Sequence, residues 1–411
     1  MKILQINITA NSGSTGRIAE EIGLYIQKKG WESYIAYSRG IAQSKSHLIH
    51  IGNLFDIYFH GIQTRLFDNH GLCSLTATNK LIKQIKNLAP DIIHLHNIHG
   101  YYLNYPILFE YLSKSKIPII WTLHDCWSYT GHCAYYSYEN CNKWQTECNN
   151  CPQKCSYPKS IWKDRSKKNF IDKKINFNSL TNAIIVPVSN WLAKEVNKSF
   201  LKNYPIHTIH NGIDINTFTV KNNNRVNLSN KNFTILGVAN IWEKRKGLAD
   251  FIHLRSLLPS SYCIILIGLT QKQIKRLPKG IIGIERTNNI DELVDYYNLA
   301  DVYINFSVEE TFGMTTCESM ACGTPVIVYN STACPEIVTE ETGFIVEVGD
   351  FNTVIKNIKI IEEKGKVKYQ NSCRERIIKY YNKEDKYKEY FKLYNKLLNS
   401  KHENIINNNN L

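Results

Sequence analysis

The stretch SVEETFGMTTCESMACGTPVIV, residues 307–328, decides the reading of this chain. It is entered by the strand-like run DVYINFS (301–307) and left by TPVIVYN (324–330), with a helical pattern from about Met314 to Ala321 between them. A strand, a loop, a helix and a second strand make a parallel βαβ unit. Glu310 then sits on the loop at the carboxyl end of the first strand. Gly313 lets backbone approach a ligand closely. The helix that follows points its amide N–H groups at the same spot, which suits a phosphate. Glu318 falls just over one turn into the helix. A carboxylate there is poor for phosphate but can accept hydrogen bonds from sugar hydroxyls. Two surface glutamates beside a turn would give the same spacing, so the chemistry needs the rest of the chain.

Working outward, the same alternation recurs. FTILGVAN (233–240), CIILIG (263–268) and GIIGIE (280–285) are short runs apolar on both faces. So are KILQINI (2–8), SYIAYS (33–38), DIIHLHN (91–97), IPIIWTLH (117–124) and AIIVPVS (183–189) in the first half. Strands buried on both faces read this way. Between the first two, Ile18, Ile22, Tyr25 and Ile26 fall on one helical face. The expected fold class is therefore α/β, with two Rossmann-like doubly wound domains facing a cleft and a C-terminal helix. The divisions are 1–215, with a cysteine-rich insertion at about 126–155, then 216–382, then a helix over 383–400 packing back on the N-terminal domain. The polar, Asn-rich segment 219–232 reads as a linker, and 401–411 as a disordered tail. Ligands in such folds bind beyond the carboxyl ends of the strands, and two such edges suit an enzyme that joins two substrates.

The 411 residues are 43% hydrophobic and 21% charged, which fits two globular domains at roughly 150 residues each. No apolar run reaches the roughly 18–20 residues of a membrane span. MKILQINITANSG is interrupted by Gln5, Asn7 and Thr9 and reads as a buried strand rather than a signal peptide. A cytoplasmic location with reduced thiols is the expectation. The net charge of +14 and the run 154–174, with eight Lys/Arg against two Asp, fit a solvated face or attraction to the anionic inner face of a membrane. No nucleic-acid motif accompanies that run, so no nucleic acid is expected.

The pattern E-x-F-G-x4-E-x-M-A-x-G-x-P-V-I from Glu310 to Ile327 resembles the signature of retaining glycosyltransferases of the GT-B fold, in the group-4 (family 4) class. NLADVYINFSVEETFG (298–313), IHNGIDINTF (209–218), KRKG (244–247), GSTGRIAEEI (13–22) and TLHD (122–125) resemble further parts of that family, and bacterial exopolysaccharide and colanic-acid enzymes within it. The resemblance implies a hexosyltransferase-type enzyme. It would move a sugar from a nucleotide-diphosphate donor to a growing glycan of capsule, exopolysaccharide or lipopolysaccharide, with a lipid-linked acceptor. A nucleotide-sugar epimerase or phosphorylase of the same fold is the alternative, and a non-enzymatic zinc and nucleic-acid binding protein a remote one. By the same resemblance Glu310 lies by the donor sugar and Glu318 holds the ribose. Lys246, with Arg245, neutralises the diphosphate. Gly13, Gly16, Phe312 and Gly313 complete the nucleotide-sugar site, and no cofactor is required for catalysis. GVANIWEKRKG has Ala239 and Asn240 near where the family often carries an arginine, and Arg245 is the candidate substitute.

His124 ends a buried strand at the expected cleft and is assigned with Glu310 to the catalytic centre, in contact with the donor sugar. His96, Asn97 and His99 are assigned to an acceptor pocket. Behind His124 six cysteines follow within 32 residues, from His124 to Cys155. Cys148 and Cys151 have the C-x2-C spacing that wraps a zinc ion, and Cys133 and Cys141 could complete a tetrahedral structural site, with Cys126 and Cys155 as spares. Free thiols and disulfides are the competing readings.

Overall fold

Among the described residues, twelve strands and the helices and loops between them place every candidate residue. The computed structural model describes residues 1–221 and 233–408, with side chains to residue 399. Most of the segment read as a linker, 219–232, and the last three residues of the tail lie outside the described residues. Strands are β1 (Lys2–Ile6), β2 (Glu32–Tyr37), β3 (His47–His50), β4 (Ile92–Leu95), β5 (Ile119–Leu123), β6 (Ala183–Pro187), β7 (Phe233–Val238), β8 (Tyr262–Ile267), β9 (Ile281–Ile284), β10 (Val302–Asn305), β11 (Val326–Tyr329) and β12 (Gly343–Val346). The first six form one parallel sheet in the order β3-β2-β1-β4-β5-β6 and the last six another in the order β12-β11-β10-β7-β8-β9. Each sheet starts in its middle, winds to one edge, then returns and winds to the other. That is the doubly wound arrangement, and it puts a switch point between β1 and β4 in one sheet and between β7 and β10 in the other.

The chain divides into two units, Met1–His210 with the stretch from Lys386 onward, and Asn211–Asp385. In the first unit Ile18, Ile22 and Ile26 of the helix Gly13–Gln27 pack with Ile3, Ile92 and Ile120 from the sheet. The last helix, Lys383–Asn408, joins this core through Tyr387, Tyr390, Leu393, Tyr394 and Leu398. Its Tyr394 hydroxyl meets His94 Nδ1 at 2.7 Å and Tyr390 meets Thr122 Oγ1 at 3.0 Å. The helix extends into the Asn-rich stretch where the sequence suggested disorder. Adding residues to a formed helix costs far less than nucleating one.

β3 and β12 were not anticipated. Each is four residues long and lies at an outer edge of its sheet. HLIH leaves three of its four residues exposed, so it lacks the run of buried apolar residues that marks the inner strands.

Candidate active site

The second sheet opens between β7 and β10. The loop after β7 carries Arg245, Lys246 and Gly247, and the loop after β10 carries Glu309 to Gly313. Gly247 holds these loops together. Its φ is +74°, and a Cβ there would meet the Phe306 carbonyl oxygen at 2.5 Å. Only glycine allows this approach, which brings the Lys246 ammonium onto Glu310 Oε1. The two side chains are 17% and 16% exposed, so the pair is sheltered but open to a ligand. Burial alone would push the Glu310 carboxyl up. The charges of Lys246 and then Arg245 outweigh it, and the group sits below the usual carboxylate range. Arg245 Nη1 donates to the Glu309 carbonyl at 2.9 Å and Val308 N–H donates to the Arg245 carbonyl at 2.9 Å, so this arginine also fixes the loop that carries Glu310. Glu310 N–H donates to Thr332 Oγ1 at 2.9 Å.

Gly313, with φ +107°, caps the helix Met314–Ala321. The first amides of that helix have no intrahelical acceptors, and with the helix dipole they favour an anion. Glu318 is half-buried and accepts from the Tyr297 hydroxyl at 2.8 Å, which fixes its carboxylate. Phe312 is buried with its ring 5.7 Å from that of Tyr381. Its side chain packs the loop from beneath.

In the first sheet the switch point lies between the loop after β1 and that after β4. Gly13, φ +66°, opens the helix Gly13–Gln27. A Cβ on Gly16 would meet Thr9 Oγ1 at 2.4 Å, so glycine there lets the preceding loop fold down onto the helix. His124, half-buried, follows β5. A relay of hydrogen bonds sets its ring. Gln5 Nε2 donates to the Ala19 carbonyl at 2.7 Å, so its Oε1 faces His96 Nε2 at 3.0 Å as acceptor. His96 Nδ1 is then the acceptor for His124 Nε2–H at 3.1 Å. Burial holds the His124 imidazole down at about 4, against the opposing pull of Asp125, so it is neutral at pH 7 and keeps Nδ1 as its lone-pair atom. His96 and His99 are both buried. They are 2% and 6% exposed. His99 Nε2 meets Asp125 Oδ2 at 2.8 Å and its Nδ1 meets the Tyr157 hydroxyl at 3.0 Å. The two histidines brace His124 and Asp125 from behind, and of the three residues assigned to an acceptor pocket only Asn97 is half-exposed.

Two family descriptions match this chain in succession: Glycosyltransferase Family 4 over residues 15–217 and Glycosyl transferases group 1 over residues 232–362. The chain belongs to the family-4 glycosyltransferases. Its relatives include the putative colanic acid biosynthesis glycosyl transferase WcaC of Escherichia coli K12, 30% identical over 38% of this chain and 41% of WcaC. Another is the capsular polysaccharide biosynthesis glycosyltransferase CapM of Staphylococcus aureus, 29% identical over 38% of this chain and 44% of CapM. The matched stretches thus span less than half of those two relatives. Among solved structures, sucrose-phosphate synthase from Thermosynechococcus elongatus superposes with a TM-score of 0.72 at 17% identity, covering 97% of this chain and 99% of that one. Anabaena Alr3699/HepE in complex with UDP gives 0.66 at 14% identity, covering 96% and 99%. The two-sheet architecture is the GT-B fold.

In this family-4 glycosyltransferase the cysteine-rich stretch lies between β5 and the helix Ser166–Phe177 and contains only three short helical turns. Cys133, Cys141, Cys148 and Cys151 all line one cavity, together with His132 and Trp144. Cys126 and Cys155 do not. As placed, no three His, Cys, Asp or Glu side chains among the described residues close on a single point, and no disulfide links the cysteines. Lys246 and Glu310 were each singled out in the sequence, but their pairing was not. Thr332, Tyr297 and the Gln5 relay were not, although Gln5 inside the apolar KILQI strand was a signal, since a buried amide must find partners.

Proposed function

We propose that this chain transfers a sugar from a nucleotide-diphosphate donor to a growing surface glycan, with retention at the anomeric carbon. The observation that carries this reading is the Lys246–Glu310 pair at the switch point of the second sheet, beside the amide end of the helix Met314–Ala321. Breaking the bond from the anomeric carbon to the diphosphate leaves negative charge on phosphate and positive charge on the sugar ring. Lys246, Arg245 and the helix amides answer the first, and the ionised Glu310 answers the second. Groups held ready where charge develops lower the barrier most. The acceptor attacks on the face the diphosphate leaves, and its proton passes to the departing phosphate, so no protein nucleophile is needed. Glu318, fixed by Tyr297, takes the ribose hydroxyls. His124, neutral at pH 7, is assigned to the donor sugar. A fold neighbour solved with UDP-glucose and the capsule and colanic-acid relatives favour this donor and product class.

The acceptor is taken to be lipid-linked, with the protein at an anionic membrane surface. In the helix Leu54–Phe67, Leu54, Phe55, Tyr58, Phe59, Ile62 and Leu66 are all exposed and form one stripe. The basic run is pinned to the end of this helix. Ile161 N–H donates to the Arg65 carbonyl at 2.7 Å and Lys163 N–H to the Leu66 carbonyl at 3.1 Å. Trp162, 65% exposed, lies against Phe67 at 5.7 Å. Apolar side chains rimmed by lysines suit a peripheral contact with anionic lipid. No helix among the described residues is long and apolar enough to cross a membrane.

The test is transfer from UDP-, GDP- and ADP-sugars to lipid-linked acceptors. Glu310→Ala is expected to abolish transfer while leaving the melting temperature within a few degrees of the parent. Full transfer by that variant, or donor turnover without any acceptor, would overturn the reading.

A further inference from the structure

The stretch between β5 and the helix Ser166–Phe177 runs about 40 residues with little regular structure, yet its interior is well ordered by packing. Trp144, Tyr129 and Tyr136 are buried, with Tyr136 and Trp144 rings 4.8 Å apart. Loops this long either carry a function or need a staple. Four thiols arriving from separate points of the loop meet at one small cavity. Its free space is about 10 Å³, room for an atom or a water rather than an organic ligand.

Polar groups gather around those thiols. Gly131 N–H donates to Cys148 Sγ at 3.2 Å. A Cβ on Gly131 would meet the Ser166 carbonyl at 2.2 Å and Cys148 Cβ at 2.6 Å, so only glycine permits that amide its approach. Cys133 and Cys151 share a hydrogen bond. His132, 2% exposed, lines the cavity. Its Nδ1 is 2.6 Å from Asp68 Oδ1, and its Nε2 has no hydrogen-bond partner among the described residues. The Asp68 carboxylate holds this imidazole in one orientation beside the cavity. Behind the loop lies Lys173, 1% exposed, its ammonium 2.7 Å from the Trp127 carbonyl, 3.0 Å from the Thr130 carbonyl and 3.5 Å from the centre of the Trp127 ring.

We propose that Cys133, Cys141, Cys148 and Cys151 bind one zinc ion as a tetrathiolate, with the His132 imidazole lining the same cavity. Each thiol loses its proton to solvent as its Zn–S bond forms, and the side chains rotate inward to reach the bond length of about 2.3 Å. The clip fixes the loop whose far end delivers Tyr157 to His99, and through His99 to Asp125 beside His124. The proposal does not depend on the transfer reaction.

The test uses the full chain purified without chelators from zinc-supplemented medium. One zinc per chain is expected by elemental analysis, released when a mercurial titrates the thiols. Cobalt reconstitution should give the intense sulfur-to-metal and visible bands of tetrahedral thiolate coordination. Cys148→Ser and Cys151→Ser should drop below 0.2 zinc per chain, which is about a fivefold loss, whereas Cys155→Ser keeps its zinc. Those variants serve only alongside the cobalt spectrum of the parent, which does not depend on their folding. Zinc content near zero in the parent with no cobalt spectrum, disulfides in its intact mass, or full zinc in Cys148→Ser would each overturn the proposal.

Discussion

At the residue scale the balance at Glu310 sets the pH behaviour of the proposed reaction. Burial raises its carboxyl and the cations of Lys246 and Arg245 lower it further than burial raises it. In Lys246→Met the burial is less opposed, so the carboxyl should rise. The acid limb of the kcat/KM profile should move up by about one pH unit. The rate at its optimum should fall by about 10²–10³, as loss of a group that stabilises developing charge does. A profile measured from pH 4.5 to 8.5 with an unshifted acid limb would remove Glu310 from the role given to it. Both residues could be singled out in the sequence, Glu310 by its place after a recognisable strand and Lys246 by the resemblance of KRKG. Their supports could not. Thr332 lies 22 residues from Glu310, Tyr297 lies 21 from Glu318, and Gln5 lies 91 from His96. Contacts across such separations are set by the packed sheet and leave no local pattern. The same limit applies to His96 and His99, whose positions gave no sign of their partners Gln5, Asp125 and Tyr157.

At the scale of elements, the inner strands announce themselves because both faces are covered, and runs such as CIILIG need no partner to be recognised. Edge strands are half solvated, and β3 and β12 escape the same reading for that reason. The helix Leu54–Phe67 shows the opposite case, an element whose sequence hides its oddity. Its apolar residues form a broad stripe, but that stripe faces outward and only His60 and Thr64 are buried. If the stripe meets lipid, the double variant Phe55→Glu/Tyr58→Glu should bind vesicles containing anionic lipid at least ~10-fold more weakly. Its melting temperature should not fall, since both side chains are already exposed. Binding by the parent should weaken as salt screens the lysines around Trp162. Equal flotation of parent and variant with such vesicles would dispose of the membrane contact.

For the whole molecule, acid should act unevenly on the two units. The imidazoles of His60 and His124 are held down by burial at about 3 and about 4, and those of His70, His94 and His96 lie well below their ordinary value for the same reason. All five belong to the first unit. Unfolded, each would bind a proton near pH 6.5, and folded it does not. The unfolded state therefore carries more protons between about pH 6.5 and pH 4, and stability rises with pH through that window and falls as pH drops. Each fully coupled group steepens the fall by about 1.4 kcal/mol per pH unit. His132, raised by its bond to Asp68 against the effect of burial, has the opposite sign, but its contribution changes only above about pH 6.5 and leaves this window untouched. Six of the seven tryptophans, Trp31, Trp121, Trp127, Trp144, Trp162 and Trp191, lie in the first unit, and Trp242 alone lies in the second. Tryptophan fluorescence thus reports mainly on the acid-sensitive unit, while calorimetry sees both. Between pH 7 and pH 5 the fluorescence-detected transition should move to lower temperature and separate from a calorimetric transition that moves less. Coincident transitions shifting together, or a fluorescence midpoint unchanged over those two pH units, would mean that the buried histidines of the first unit do not control its stability.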